Sequence, residues 1–206
     1  MRKRLDARVL ELVHGDLGWD VFTLEYKLDG PLEVIATAYA KRQYLKLFNF
    51  LWRIKRVEYA LTEVYLNATT SARTIMKDLE RENGDSEVFK QLHDTWQKAR
   101  LLCTEMVQFI SQLQCYILFE VIESSWVDFM KDVENPSCNL NTIIQAHEKF
   151  LSNITHKGLL GSGKTVSEES FVSQLHEMLK RILQFKNNSV RGFLSLSLSY
   201  FCTYNI

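Results

Sequence analysis

Little in this chain can break a helix or cross-link one. Pro31 and Pro136 are the only prolines in 206 residues, so long uninterrupted helices are permitted. The four cysteines, Cys103, Cys115, Cys138 and Cys202, are scattered and form no CxxC pair. That spacing excludes a zinc ribbon or a disulfide-stapled miniature fold and predicts free thiols in a reducing cytosol. An excess of either charge is also missing, since 25 basic residues meet 25 acidic ones. A general nucleic-acid or membrane-surface binder needs a net positive field, so neither nucleic acid nor a membrane is an expected partner. No apolar run approaches the roughly 18 residues that cross a bilayer. The basic start Met1-Arg2-Lys3-Arg4 leads into no apolar core, so no secretory leader is expected. On that reading, the glycosylation-pattern matches at Asn67 and Asn153 are accidental.

What is present is apolar material in regular arrays. Hydrophobic residues make up 46% and charged residues 24% of the chain, which predicts a folded domain rather than disorder. At the N-terminus, an apolar run from Val9 to Val13 precedes turn-forming residues from His14 to Gly18. Phe22, Leu24, Tyr26 and Leu28 then alternate with Thr23, Glu25 and Lys27. A period of two marks a strand with one buried face, so a β-hairpin is predicted over about 8–28. Asp29, Gly30 and Pro31 stop it, and Pro31 is suited to opening the helix that follows.

From about 32 to 66 the period becomes helical. Leu47, Phe50, Ile54, Val57, Leu61 and Val64 recur at steps of three and four, with Tyr44, Phe48 and Trp52 as a second stripe. An apolar arc that wide predicts a helix packed on more than one side. Asn67 to Thr70 and Asn83 to Ser86 are the expected breaks. Over about 86–133, Phe89, Leu92, Trp96, Ala99, Cys103, Met106, Ile110, Leu113 and Ile117 step by 3, 4, 3, 4 in an unbroken heptad register. A helix of about 45 residues would be near 70 Å long. Past Pro136 a helix is predicted over about 139–156, with Leu140, Ile143, Ile144, His147, Phe150, Leu151 and Ile154 inward. A last one is predicted over about 166–185, capped by Thr165 and Glu168, with Phe171, Leu175, Met178, Leu179 and Ile182 inward. Asn187 to Ser189 should end it. The uncharged, alternating stretch from Phe193 to Phe201 differs from everything before it, and such a segment aggregates when exposed. Residues 186–206 therefore read as an atypical tail, of the kind truncation or splicing creates. The fold class expected is mainly α, an elongated helical bundle with a short N-terminal β-hairpin.

Catalytic motifs fail their context. Gly158, Gly163, Lys164 and Thr165 satisfy the P-loop pattern GxxxxGK(S/T) letter for letter. That motif needs a preceding strand, whereas Glu148 to His156 carry helical periodicity, so the match reads as a chance one in a helix–helix loop. A P-loop nucleotide-binding protein stays as the rival that this motif keeps open. His147-Glu148 lacks the second histidine of HExxH, and His147 reads as a packing residue on an apolar stripe. Asp78, Glu80 and Glu82 alternate with Lys77 and Arg81 as a solvated face. Cys103 and Cys115 lie on a long helix and do not read as nucleophiles. No cofactor, metal site or catalytic residue is expected.

One cluster does suggest function. Trp52, Arg53, Lys55 and Arg56 join a large aromatic to three cations within two helical turns. Two readings stand: a core stripe with a wet cationic edge, or the aromatic–arginine mixture favoured at protein interfaces. A heptad-driven helical interaction module is a third possibility for the chain as a whole.

Several separated segments resemble one family. Gly18 to Leu32 (GWDVFTLEYKLDGPL) is similar to the opening of the C-terminal, γ-tubulin-binding domain of γ-tubulin complex components, the spindle pole body component type. Tyr44 to Glu58 (YLKLFNFLWRIKRVE) resembles the helix that follows in that family. Glu105 to Phe109 (EMVQF), Tyr116 to Val121 (YILFEV), Trp126, and Ala146 to Leu151 (AHEKFL) fit its later helices in order. The resemblance covers about 5–185 and implies part of that domain. It implies a helical bundle without catalytic activity that binds γ-tubulin, together with other γ-tubulin complex components, to nucleate microtubules. The implied location is the cytoplasm and cytoskeleton, at microtubule-organising centres and spindle poles. Trp52, Arg53, Lys55 and Arg56 become the expected partner-binding surface or its support.

Overall fold

A computed structural model describes residues 5–9, 18–28, 30–71, 77, 80–81, 86–158 and 172–189. Two strands open the chain: β1, Leu5–Val9, and β2, Phe22–Tyr26. They pair antiparallel, with Leu5 opposite Tyr26 and Val9 opposite Phe22. The hairpin is therefore real, but its first strand lies earlier than the apolar run from Val9 to Val13 implied. Residues 10–13 lie outside the described set. Exposed diagonal charge pairs accompany this register and offset the facing carboxylates of Asp6 and Glu25. Arg8 Nη2 meets Glu25 Oε2 at 2.6 Å and Lys27 Nζ meets Asp6 Oδ2 at 3.0 Å, both diagonal pairs on adjacent strands. Part of the connection is one helical turn, α1, Gly18–Val21, which leads directly into β2.

Pro31 sits in a separate 3₁₀ turn, Gly30–Val34, rather than at the head of the long helix. Gly30 enters it at φ +74°, a left-handed conformation that a side chain would strain. The long helix α2, Ala38–Ser71, follows. It passes straight through Asn67 to Thr70, the predicted break. The hydroxyls of Thr69 and Thr70 donate to the carbonyls of Tyr65 and Leu66 at 2.8 and 2.9 Å. The hydroxyls thus find acceptors inside the helix, and the buried Ala68 between Asn67 and Thr69 holds this turn on the core.

The heptad segment is helical throughout, in three pieces: α3, Glu87–Cys115, a π-helical stretch, Tyr116–Glu123, and α4, Ser124–Val133. Trp96, Cys103, Ile110 and Ile117, one per heptad, are buried, and the remaining positions of the stripe are half-buried. After Ile117 the buried spacing changes to steps of four, through Val121 and Ser125. The wider π turn keeps those residues on one face where an α-helix would rotate them off it.

Asn135 Oδ1 accepts from the Ser137 amide and hydroxyl at 3.1 and 2.8 Å, turning the chain around Pro136. Asn139 then caps α5, Leu140–Lys157, accepting from the Thr142 amide at 2.9 Å. A last helix, α6, covers 172–189. It continues through Asn187, Asn188 and Ser189, the predicted stop. The cap at Thr165 and Glu168, Phe171, and residues 190–206 of the expected tail lie outside the described set.

The chain divides into two compact units, Met1–Arg56 with Leu113–Gln174, and Val57–Gln112 with Leu175–Ile206. In the first, Ala40, Leu47, Val121, Phe150, Leu151 and Ile154 form a core, with Leu51, Ile122 and Phe129 packed on it. There α4 lies against α5, and Lys149 of α5 reaches Asp132 of α4 at 3.2 Å. In the second, Val57, Leu61 and Val64 of α2, Trp96, Cys103 and Ile110 of α3, and Leu175, Leu179 and Ile182 of α6 are buried. Two predicted inward residues face out: Leu140 at the head of α5 and Met178 on α6 are 54% and 46% exposed.

The fold class is mainly α with a short N-terminal hairpin, as read from the sequence. No helix among the described residues is long and apolar enough to cross a membrane.

Candidate interaction surface

The aromatic–basic segment occupies the middle of α2. Trp52 is half-buried, and its ring centroid lies 4.8 Å from both Trp19 and Phe22 and 6.0 Å from Phe48. Its indole N–H donates to the Trp19 carbonyl at 2.9 Å. Trp52 thus uses its polar handle and most of its ring to fasten the turn α1 and strand β2 onto α2. It supports a surface more than it protrudes from one.

Arg53 and Arg56, with Asn49, Trp19, Phe22 and Trp52, line a hollow of about 180 Å³. Lys55 does not share it. Two residues along a helix turn the side chain by about 200°, so Lys55 leaves α2 on another side from Arg53. The structure therefore brings together three of the four expected residues. Arg53 is exposed and Arg56 half-buried.

The sequence reading passed over a longer feature. Between Ala38 and Val57 α2 carries Lys41, Arg42, Lys46, Arg53, Lys55 and Arg56 and no acidic residue. Arg42, Lys46, Asn49, Arg53 and Arg56 recur at steps of 4, 3, 4 and 3, which places them in one row along the helix. Arg42, Lys46 and Arg53 are exposed. A charge count confined to the helix would have revealed the row, because the neutral total of the whole chain conceals it.

His147 packs as expected. It is 8% exposed, Phe129 meets it edge-on at 6.1 Å, and its Nε2 lies 2.9 Å from the Tyr44 hydroxyl. Burial pushes the imidazole below its ordinary value, while the Ile35 backbone and the Glu148 charge pull the other way. The Ile35 backbone is near the ring, but no described residue meets Nδ1 at full hydrogen-bond geometry. Burial likewise raises the Cys103 thiol, which disfavours the reactive thiolate. Cys103, Cys115 and Cys138 are all free, and Cys202 lies outside the described set.

Among the described residues no three His, Cys, Asp or Glu side chains converge on a metal-sized site. The chain entering Gly158 is α5, and the Gly158 amide closes it by donating to the Ile154 carbonyl at 3.0 Å. A helix stands where a P-loop requires a strand. Gly163, Lys164 and Thr165 lie outside the described residues.

Fold and surface define a mainly helical protein whose most distinctive face is cationic and aromatic. The chain belongs to the family described as gamma tubulin complex component C-terminal, whose model matches residues 1–200. It is 51% identical over 183 residues to the spindle pole body component alp6 of Schizosaccharomyces pombe, covering 89% of this chain and 21% of that protein. Against gamma-tubulin complex component 3 of Homo sapiens it is 38% identical over 185 residues, 90% of this chain and 19% of the relative. The Xenopus laevis homolog of component 3 is 40% identical over the same coverage. The chain therefore spans about a fifth of the length of these relatives.

Proposed function

We propose that the chain is a non-catalytic scaffold element that binds γ-tubulin within a γ-tubulin complex and so contributes to microtubule nucleation. Its family and its relatives, which are named as components of γ-tubulin complexes and spindle pole bodies, support this reading. The partners are γ-tubulin and other components of the complex. The place of action is the microtubule-organising centre or spindle pole in the cytoplasm.

The observation that carries the reading on this chain itself is the face of α2. Arg53 and Arg56 flank a hollow walled by Trp19, Phe22 and Trp52. Arginine beside large aromatics is the composition that carries most binding energy at protein interfaces. Trp52 holds the wall in place through the Trp19 carbonyl. Lys55 contributes from another side of the helix as a long-range charge, acting on association rate rather than on residence.

The test is co-elution of the purified chain with purified γ-tubulin on size exclusion, at low and at moderate salt. A shared peak that weakens as salt rises is expected. Separate elution at both salt concentrations, with the chain helical by circular dichroism, would overturn the reading.

A further inference from the structure

A second concavity lies beside the first, between the hairpin and the N-terminal half of α2. It measures about 600 Å³, and its apolar walls come from Leu5, Leu24, Leu28, Leu45 and Phe48. The polar groups around it are unequal. Arg8 and Glu25 neutralise one another at 2.6 Å. Lys41 and Arg42, which also line it, are exposed and form no ion pair among the described residues. The groove thus has an apolar floor and a net positive rim. From Arg42 the cations run on through Lys46 to Arg53, eleven residues along a helix or about 16 Å.

We infer that this groove docks an acidic protein segment that carries bulky apolar side chains among its carboxylates. Charge complementarity sets the sign of the partner. The floor sets the need for apolar anchors, because the exposed Leu5 and Leu45 and the half-buried Leu24, Leu28 and Phe48 gain from covering only if the occupant is apolar there. The length of the cationic row favours a peptide over a small anion, whose charge Lys41 and Arg42 alone would saturate. A duplex nucleic acid would meet the row but leave the floor uncovered. The groove shares α2 with the face proposed for γ-tubulin, but it does not depend on γ-tubulin being the partner.

The test is fluorescence anisotropy with a labelled short peptide in which glutamates flank leucine and phenylalanine, titrated with the whole chain. Saturable binding is expected. Replacing the peptide's apolar residues by serine should weaken it about tenfold, and so should Leu45→Ser in the protein. The double reversal Lys41→Glu with Arg42→Glu should weaken it at least about tenfold, while Lys90→Glu on α3 leaves it unchanged. Circular dichroism confirms that each variant is folded. The inference is overturned if the peptide does not bind, if the serine peptide binds equally, or if the double reversal binds like the parent. Capture of the chain by phosphatidylserine vesicles without binding of the peptide overturns it as well. Failure of the peptide alongside intact γ-tubulin capture would remove this inference and leave the proposed function standing.

Discussion

The hydroxyl of Tyr44 on α2 lies 2.9 Å from Nε2 of His147 on α5, joining residues 103 positions apart. It is a polar contact at the edge of an apolar core, and Phe129 packs edge-on against the same imidazole. A polar pair so placed fixes how the two helices meet, because either group alone would lose its partner in a partly dry site. Tyr44→Phe should therefore cost about 1–2 kcal/mol, read as a lower urea midpoint with an unchanged slope. No shift in midpoint would mean that solvent satisfies His147 instead.

The same imidazole makes stability depend on pH. Its ordinary value is 6.5 and burial lowers it in the folded chain. Between the lowered value and 6.5 the unfolded chain takes up the proton and the folded one does not, so unfolding gains. The contribution of His147 is thus complete above 6.5 and declines as pH falls below it. Urea midpoints at neutral and mildly acidic pH should diverge less in His147→Gln than in the parent. Equal divergence would place the pH sensitivity elsewhere.

Trp52 separates two kinds of contact. Trp52→Phe keeps an aromatic ring against Trp19 and Phe22 but removes the N–H donated to the Trp19 carbonyl, a loss of about 1 kcal/mol. Trp52→Ala removes the ring as well and should cost about 3 kcal/mol or more. The near-ultraviolet dichroism of Trp19 should be largely kept in the first variant, where a ring still packs on it, and lost in the second.

The stripe on α3 yields a paired prediction. Ile110 is 2% exposed, whereas Leu101 on the same helix is 65% exposed. Ile110→Ala should cost about 2–5 kcal/mol, and Leu101→Ala less than about 0.5 kcal/mol. Equal costs, measured by thermal or urea unfolding, would mean that the heptad face is not the packed one.

These contrasts show what could be read from residues alone. The heptad was legible because one buried residue per seven leaves a strong periodic trace, and the structure buries Trp96, Cys103, Ile110 and Ile117 on it. The hairpin was legible as a motif but not in register. Val9 to Val13 is the more apolar stretch, whereas the pairing of Asp6 and Arg8 with Lys27 and Glu25 lies in charge, not in periodicity. The threonines at the end of α2 read as a break because their intrinsic preference is weak, and the burial of Val64 and Ala68 that holds the helix there is a tertiary effect composition does not show. Of the candidate surface, Trp52, Arg53 and Arg56 come together, while Lys55 illustrates that adjacency in sequence is not adjacency on a helix. Arg42 and Lys46 were readable at helical spacing but masked by a balanced total charge.

The most direct test of the central claim is capture of purified γ-tubulin by this chain, compared with the variant Arg53→Glu with Arg56→Glu. Expected is capture by the parent chain and at least about tenfold weaker capture by the variant, with helicity unchanged by circular dichroism. Equal capture by both would show that the α2 face plays no part in binding, and no capture by a folded parent chain would contradict γ-tubulin binding by this domain segment altogether.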